Sequence, residues 1–424
     1  MFVMKKWFGL VPMVGVVIAC GDDGPRGIGQ DTDTGADSAA DTSGETSSDA
    51  TAEDTGDTSD TSDAIDIDDT SAPDTTPTAL PNACDAGTPC SAGVCRSGVC
   101  VVDPPAAAVS HVTDPTVNEA TTEWPDLDCV DQSLAPPTAS ATATLYGAVA
   151  RFGKGRKTTS IKVEVLLAEG FDPSACEDAS GAAAKRECYR GYGTPIGSAL
   201  SVPATPETVP AECVRHEDCP LGYQCFDPNE LGGSCEEQFG VYEITEVPLD
   251  TPLVIRSYAT TNEAQWHDTW MFNVILHRER VADGRIQYDA QMVSEGQWIL
   301  TTNSVGLPAM SPDNGAIGGR VRDCHGVRDS WPIGDVRLGL AAPGRSIVYF
   351  NDLEDDTVPL IDRETTDILG RFAALDVPPG WNRIAGAARF DGQLVTVGGV
   401  PVYVVPNALS IVSWPGTQPY WRQK

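Results

Sequence analysis

The chain has 424 residues, enough for two or three domains, with 61 acidic against 28 basic side chains and a net charge of −33. An acidic surface offers a phosphate backbone nothing to neutralise it, so nucleic acid is excluded as a partner. The charge is uneven: between Asp22 and Asp74 stand 17 acidic residues and one basic residue, Arg26, which is about half of the net charge.

Residues 1–19 have the layout of an export signal. Lys5 and Lys6 precede an apolar run from Trp7 to Ile18, and Ala19 stands before Cys20. The run is too short to span a bilayer, and no later stretch approaches the roughly 20 apolar residues that a membrane helix needs. The closing Val17-Ile18-Ala19-Cys20 resembles the lipobox of bacterial lipoproteins, which places a branched aliphatic three residues before the cysteine and Ala or Gly directly before it. The resemblance implies cleavage before Cys20, a lipid on that cysteine, and attachment of the chain to a cell-envelope membrane through it. An ordinary secretory signal that happens to end before a cysteine is the alternative. Gly21 rather than Asp after Cys20 points to the outer membrane under enteric-type sorting.

Residues 20–82 are a low-complexity tract of Asp, Thr, Ser, Ala and Gly without an aromatic residue. Such a segment cannot bury enough apolar surface to offset its ordering entropy, so it is expected to be a disordered acidic linker. Fully extended it reaches about 200 Å, the length of a stalk. Asp31-x-Asp33-x-Gly35 and Asp66-x-Asp68-Asp69 lack the bidentate Glu and fixed loop of a calcium hand, so the expectation is counter-ion attraction only.

Beyond Cys20 stand twelve cysteines: Cys84, Cys90, Cys95, Cys100, Cys129, Cys176, Cys188, Cys213, Cys219, Cys225, Cys235 and Cys324. An even number behind an export signal reads as a disulfide framework in an oxidising compartment. Cys84-x5-Cys90-x4-Cys95-x4-Cys100 makes a small module over 83–103, followed by a connecting segment, 104–139. A second cluster, Cys213-x5-Cys219-x5-Cys225-x9-Cys235, lies in an insertion over 211–237. Its Asp218-Cys219-Pro220-Leu221-Gly222-Tyr223-Gln224-Cys225 resembles the Dickkopf-type cysteine-rich repeat of exported proteins. Zinc would want CxxC pairs or spaced histidines, and His216 is the only histidine in either cluster, so disulfides and no metal are expected. Pairing is expected within each cluster, with three arrangements open in each. Cys129, Cys176, Cys188 and Cys324 are expected to pair among themselves, Cys176 with Cys188.

From about residue 140 apolar and polar residues alternate, as a half-buried strand demands. Expected strands are Leu145–Val149, Ile161–Val165, Gly240–Val247, Leu253–Tyr258, Trp270–His277, Arg285–Met292 and Gln297–Thr302. After Asn314 come Ala316–Arg322, Asp335–Leu340, Ser346–Phe350, Ile368–Val377, Trp381–Ala388, Leu394–Val397 and Val400–Val405. Asp283-Gly284 is a hairpin signal, and Ala182–Arg186 has room for one helical turn. The chain also repeats itself. Gly240-Val241-Tyr242 through Glu246-Val247-Pro248 aligns without gaps on Gly370-Arg371-Phe372 through Asp376-Val377-Pro378.

With Val377-Pro378-Pro379-Gly380, this pattern resembles the carboxypeptidase-regulatory-like, or transthyretin-like, β-sandwich domain. The match is fuller over 316–410 and partial over 140–302. It implies an all-β fold of tandem β-sandwiches, 140–313 and 314–424, with small disulfide-rich modules behind a disordered N-terminal stalk. It also implies a module that supports folding or mediates contacts.

No HExxH, Gly-x-Ser-x-Gly or phosphate-cradling Gly-Lys-Ser/Thr occurs. Arg151–Lys157 reads as a hairpin tip, His267 and His277 as surface or satisfied histidines, and Asp352 through Asp356 as a solvated loop. The tryptophans are read as core, with an exposed sugar- or peptide-binding platform as the alternative. The expectation is therefore a non-enzymatic, envelope-anchored binding or adhesion module for protein or carbohydrate, without catalytic residues or cofactor. The alternatives are a structural accessory subunit of an envelope complex and, behind it, an enzyme built on loops.

Overall fold

A computed structural model describes residues 80–414 apart from 86, 115–118, 122, 131–140, 153–157, 207, 211, 214–217, 227–232, 325–330 and 353–357. The export signal, Cys20 and nearly all of the expected stalk lie outside the described residues, as do His216, His325, the 153–157 loop, Glu354, Tyr420 and Trp421. Among the described residues no helix is long and apolar enough to cross a membrane.

The all-β expectation holds, and it is built twice. In the first copy Thr142–Phe152 pairs antiparallel with Gly240–Pro248 and, on its other side, parallel with Arg285–Gln287 and Ala290–Ser294. A meander of Ile161–Leu167, Pro252–Ala259 and Trp266–Ile275 packs against them. Period-two alternation aims Leu145, Val163, Val165, Ile244, Ile255 and Met292 into the core between. In the second copy Gly315–Val321 pairs antiparallel with Arg371–Val377 and parallel with Ala408–Trp414. Its facing meander is Arg337–Leu340, Gly380–Phe390 and Gln393–Val404. The last two are joined by the two-residue turn Asp391-Gly392, both at positive φ, 47° and 76°.

The repeated motif has one job in both copies. Tyr242 lies opposite Gly147, and Phe372 opposite Gly319. A side chain at either glycine is impossible: a Cβ would stand 2.0 Å from the Tyr288 carbonyl oxygen or 1.7 Å from that of Val412. At Gly319 the Phe372 ring covers the spot, its Cε1 3.1 Å from where a Cβ would stand; at Gly147 the Tyr288 carbonyl and the Asp289 carboxylate fill it, and the Tyr242 hydroxyl donates to that carbonyl at 2.6 Å. Two residues after Ile244 and Ala374, Glu246 and Asp376 take positive φ, 60° and 56°, and the register slips by one residue in each copy. That bulge sets up the Val-Pro that follows.

A strand missing from the sequence reading joins the copies. Ala408–Trp414 runs parallel to Gly315–Val321 on one side and to Trp266–Ile275 of the first copy on the other, with Asp268 opposite Ala408 and Met271 opposite Ile411. One hydrogen-bonded sheet therefore continues through both sandwiches.

Other local expectations need correction. Gln297–Thr302 is not a strand but the middle of a helix, Glu295–Ser304. Ser294 caps it, its Oγ accepting from the Gln297 N–H at 3.2 Å, and Ile299 and Leu300 stay exposed. The single turn expected near Ala182 is a ten-residue helix, Ala182–Gly191. Asp283-Gly284 does turn, yet only Ala282 and Arg285 bridge across it, because the flanking strands pair elsewhere. Among the described residues, the flanking strands Thr142–Phe152 and Ile161–Leu167 share no ladder, and 153–157 itself lies outside those residues.

Candidate functional site

The disulfides come first, because they fix what can move. Six bridges join the twelve cysteines: Cys84–Cys95, Cys90–Cys100, Cys129–Cys324, Cys176–Cys188, Cys213–Cys225 and Cys219–Cys235. Both clusters follow one plan, first to third and second to fourth. In both, the last two cysteines face each other across a short hairpin without bonding to each other, Cys95 opposite Cys100 and Cys225 opposite Cys235. Each hairpin is thereby tied to the loop that precedes it.

The segment between Ile161–Leu167 and Gly197–Leu200, stapled by Cys176–Cys188, lies over an aromatic cluster drawn from both sandwiches. Phe171 touches Trp270 and Phe272 of the first and Tyr403 of the second. Tyr403 donates to Glu177 at 2.5 Å, and the Trp381 indole to Asp172 at 3.1 Å. Burial, and then the facing Glu177, push the Tyr403 hydroxyl far above the ordinary phenol range. Arg256 donates to Glu164 at 2.5 Å and to the carbonyls of Tyr189 and Tyr192 at 3.0 and 2.7 Å, closing the C-terminal end of the helix Ala182–Gly191. Arg190 grips Asp268 through two bonds of 2.7 Å and Glu263 through a third. These groups are all mutually engaged, which makes the segment a clasp between sandwiches.

Polar and aromatic side chains converge on solvent at another point of the seam. His267, 6% exposed, has Nδ1 3.2 Å from the Asn407 carbonyl and Nε2 2.5 Å from Glu295, with its face stacked on Trp298 at 4.2 Å. Together with Asn303 and Met310 they line a cavity of about 290 Å³. The cavity combines a carboxylate, an amide and an apolar ring, the mixture that holds a hydroxyl-bearing or amide-bearing group in place. The sequence offers His267 as a satisfied or surface histidine, and the fold buries it with an oxygen beside each ring nitrogen. Glu295 and Trp298 were missed as its neighbours, although Ser294-x-x-Gln297 is a capping-box signature for their helix.

Elsewhere the flagged residues are engaged structurally. Asp250, His277 and Glu279 bring ligand atoms within 4.8 Å of one another. Both Asp250 oxygens already accept from Arg278, its backbone N–H at 3.1 Å and its Nε at 2.5 Å, so a cation there would have to displace a guanidinium. Asp352 accepts from the Ile368 N–H and pairs with Arg363 at 3.0 Å. Cys324, beside His325 in sequence, is bonded to Cys129. Trp266 and Trp270 are buried and Trp298, Trp331 and Trp381 half-buried, while Tyr349, Phe372, Phe390 and Tyr403 share one core and Phe350 another, which Trp298 packs against. Most of these residues build cores, whereas Trp124 stays 46% exposed, its indole N–H donating to Asp391 at 3.0 Å beside the Phe390 ring.

No family model matches the chain, and no curated protein matches it. Among solved structures, a mutant form of the shaft pilin SpaA of Lactobacillus rhamnosus GG is 9% identical over 66% of this chain and 98% of its own, with a TM-score of 0.14. GBS52, a minor pilin of Streptococcus agalactiae, is 9% identical over 66% and 96%, at 0.18. The TIE protein of Bacillus anthracis is 7% identical over 65% and 33%, at 0.15. Superpositions this loose carry no argument, and the fold rests on the strand pairings above.

Proposed function

We propose that the chain is a non-enzymatic, surface-displayed binding or adhesion module, tethered at its N-terminal end through a lipid on Cys20. Its ligand would be a carbohydrate or a protein side chain. The observation that carries this reading is the cleft where His267, Glu295 and Trp298 meet. It is open to solvent, rimmed by groups that donate, accept and stack, and seated where one hydrogen-bonded sheet continues from the first sandwich into the second, which keeps its geometry fixed. Glycan and peptide arrays probed with the full chain test it. Binding should be saturable and should fall at least tenfold in Trp298→Ala and in Glu295→Gln, without loss of fold. Binding that persists in both variants would move the function away from this cleft.

The accessory-subunit reading draws on a different feature. An open groove of about 730 Å³ beside Pro105, Ala108 and Arg363 carries Leu360 and Ile361, 41% and 67% exposed. Co-purification of a stoichiometric partner from envelope material, lost in Ile361→Glu, would favour that reading over a free-ligand module.

A further inference from the structure

Both ends of the described chain gather on the second sandwich. At the N-terminal end the Asn82 N–H donates to the Ala341 carbonyl at 2.8 Å, and Val99 and Val101 pack on Ala341, Ala385 and Ala387. Arg383 reaches back to the Ser97 carbonyl at 2.5 Å, and Arg96 donates to Thr396 at 3.0 Å. The connecting segment then follows the same sandwich. Ser110 bonds the backbone of Asp335 and Arg389, the strand His111–Asp114 pairs with Ile333–Gly334, and Thr113 donates to the Ile368 carbonyl. At Cys129 the chain leaves to build the first sandwich and the helix Glu295–Ser304. It returns at Cys324, whose Cα lies 5.7 Å from that of Cys129 across a bridge separated by 195 residues in sequence.

We propose that this topology takes the first sandwich out of the path of mechanical tension. A pull between the N-terminal tether and the C-terminal end runs through residues 80–129, crosses the Cys129–Cys324 bond, and continues through the second sandwich. Everything between the two cysteines is a closed loop with its ends joined, so the pull cannot lengthen it, whatever the second sandwich does. The ladder between Trp266–Ile275 and Ala408–Trp414 can shear without extending a single residue of the loop. The chain thus divides the work. Under a pull between the two ends, one sandwich carries the strain and the other stays folded. No ligand takes part in this division of load, so its failure would leave the binding cleft untouched.

Force spectroscopy on the full mature chain under oxidising conditions, held by its two ends, tests the proposal. The wild type should show no extension that belongs to residues 130–323. In the double variant Cys129→Ser/Cys324→Ser the loop joins the path. Allowing for the three bridges inside the loop, about 165 residues become extendable, adding on the order of 550 Å. Equal total extension in the two proteins would overturn the proposal. A second arm needs no cysteine change: a protease site is placed within 131–140 of the otherwise wild-type chain and cut while the molecule is under load. The tether should hold through the disulfide. Rupture on cleavage would show that the bond does not carry the pull.

Discussion

Gly319→Ala is the sharpest probe of the repeated architecture. The new Cβ would lie 1.7 Å from the Val412 carbonyl oxygen, where separations under 3.0 Å are essentially never seen, so one strand must retreat by about 1 Å or more. The retreat is blocked on the far side, because Ala408–Trp414 is also laddered to Trp266–Ile275. Phe372 packs over the same spot from the other neighbouring strand. Overpacking against movable side chains costs about 1–3 kcal/mol. Here the obstacle is backbone, fixed on both sides, so a loss of roughly 3–5 kcal/mol is expected by extension of that figure. The control is Gly296→Ala in the helix Glu295–Ser304, where nothing lies within 4 Å. That change should stabilise the chain by about 0.5–1 kcal/mol through helix propensity alone. Guanidinium denaturation with the disulfides intact reads both as shifts of midpoint at constant slope. A Gly319→Ala unfolding free energy within about 1 kcal/mol of wild type would refute the close approach.

Two further outcomes follow from buried charge and from the cleft's surroundings. Arg256→Met should cost about 3 kcal/mol, the low end for a broken buried pair, because Glu164, 4% exposed at its side chain, loses Arg256 but keeps Lys162 at 2.9 Å. The double variant Arg256→Met/Glu164→Leu should lose less in the same denaturation, and a larger loss would contradict the account. Burial holds the His277 imidazole below its ordinary value, aided by Arg280 and opposed by Asp250 and Glu279. Below about pH 6.5 the unfolded chain therefore binds more protons at this site than the folded one. Stability should fall as pH drops from 7 towards 5, and His277→Gln should flatten that slope. An unchanged slope in the variant would remove His277 from the explanation.

The residues that fix local geometry were the legible ones. Gly147, Gly319, Tyr242, Phe372 and the Val-Pro steps announced two copies of one sandwich, because the same residue types recur at matching places in both stretches of sequence. The even cysteine count and the spacing of the two clusters likewise pointed to local staples. What stayed hidden depends on contacts distant in sequence. Nothing within Ala408–Trp414 says that it will lie between strands that begin at Trp266 and Gly315. Trp298-Ile299-Leu300 has strand-like composition, and the helix won because Ser294 and Gln297 cap it. The helix Ala182–Gly191 gains its stability from Arg256 and Arg190, whose partners come from other elements. The cleft was hidden for the same reason: His267 was visible, but Glu295 and Asn407 reach it only through the fold.

The loop that carries the first sandwich is closed on the second by one covalent bond, and non-reducing peptide mapping of the mature chain tests that most directly. The predicted result is a cross-linked peptide pair containing Cys129 and Cys324, with the other ten of the twelve cysteines in the five local bridges. A free thiol at Cys129 or Cys324, or either cysteine bonded elsewhere, would contradict it.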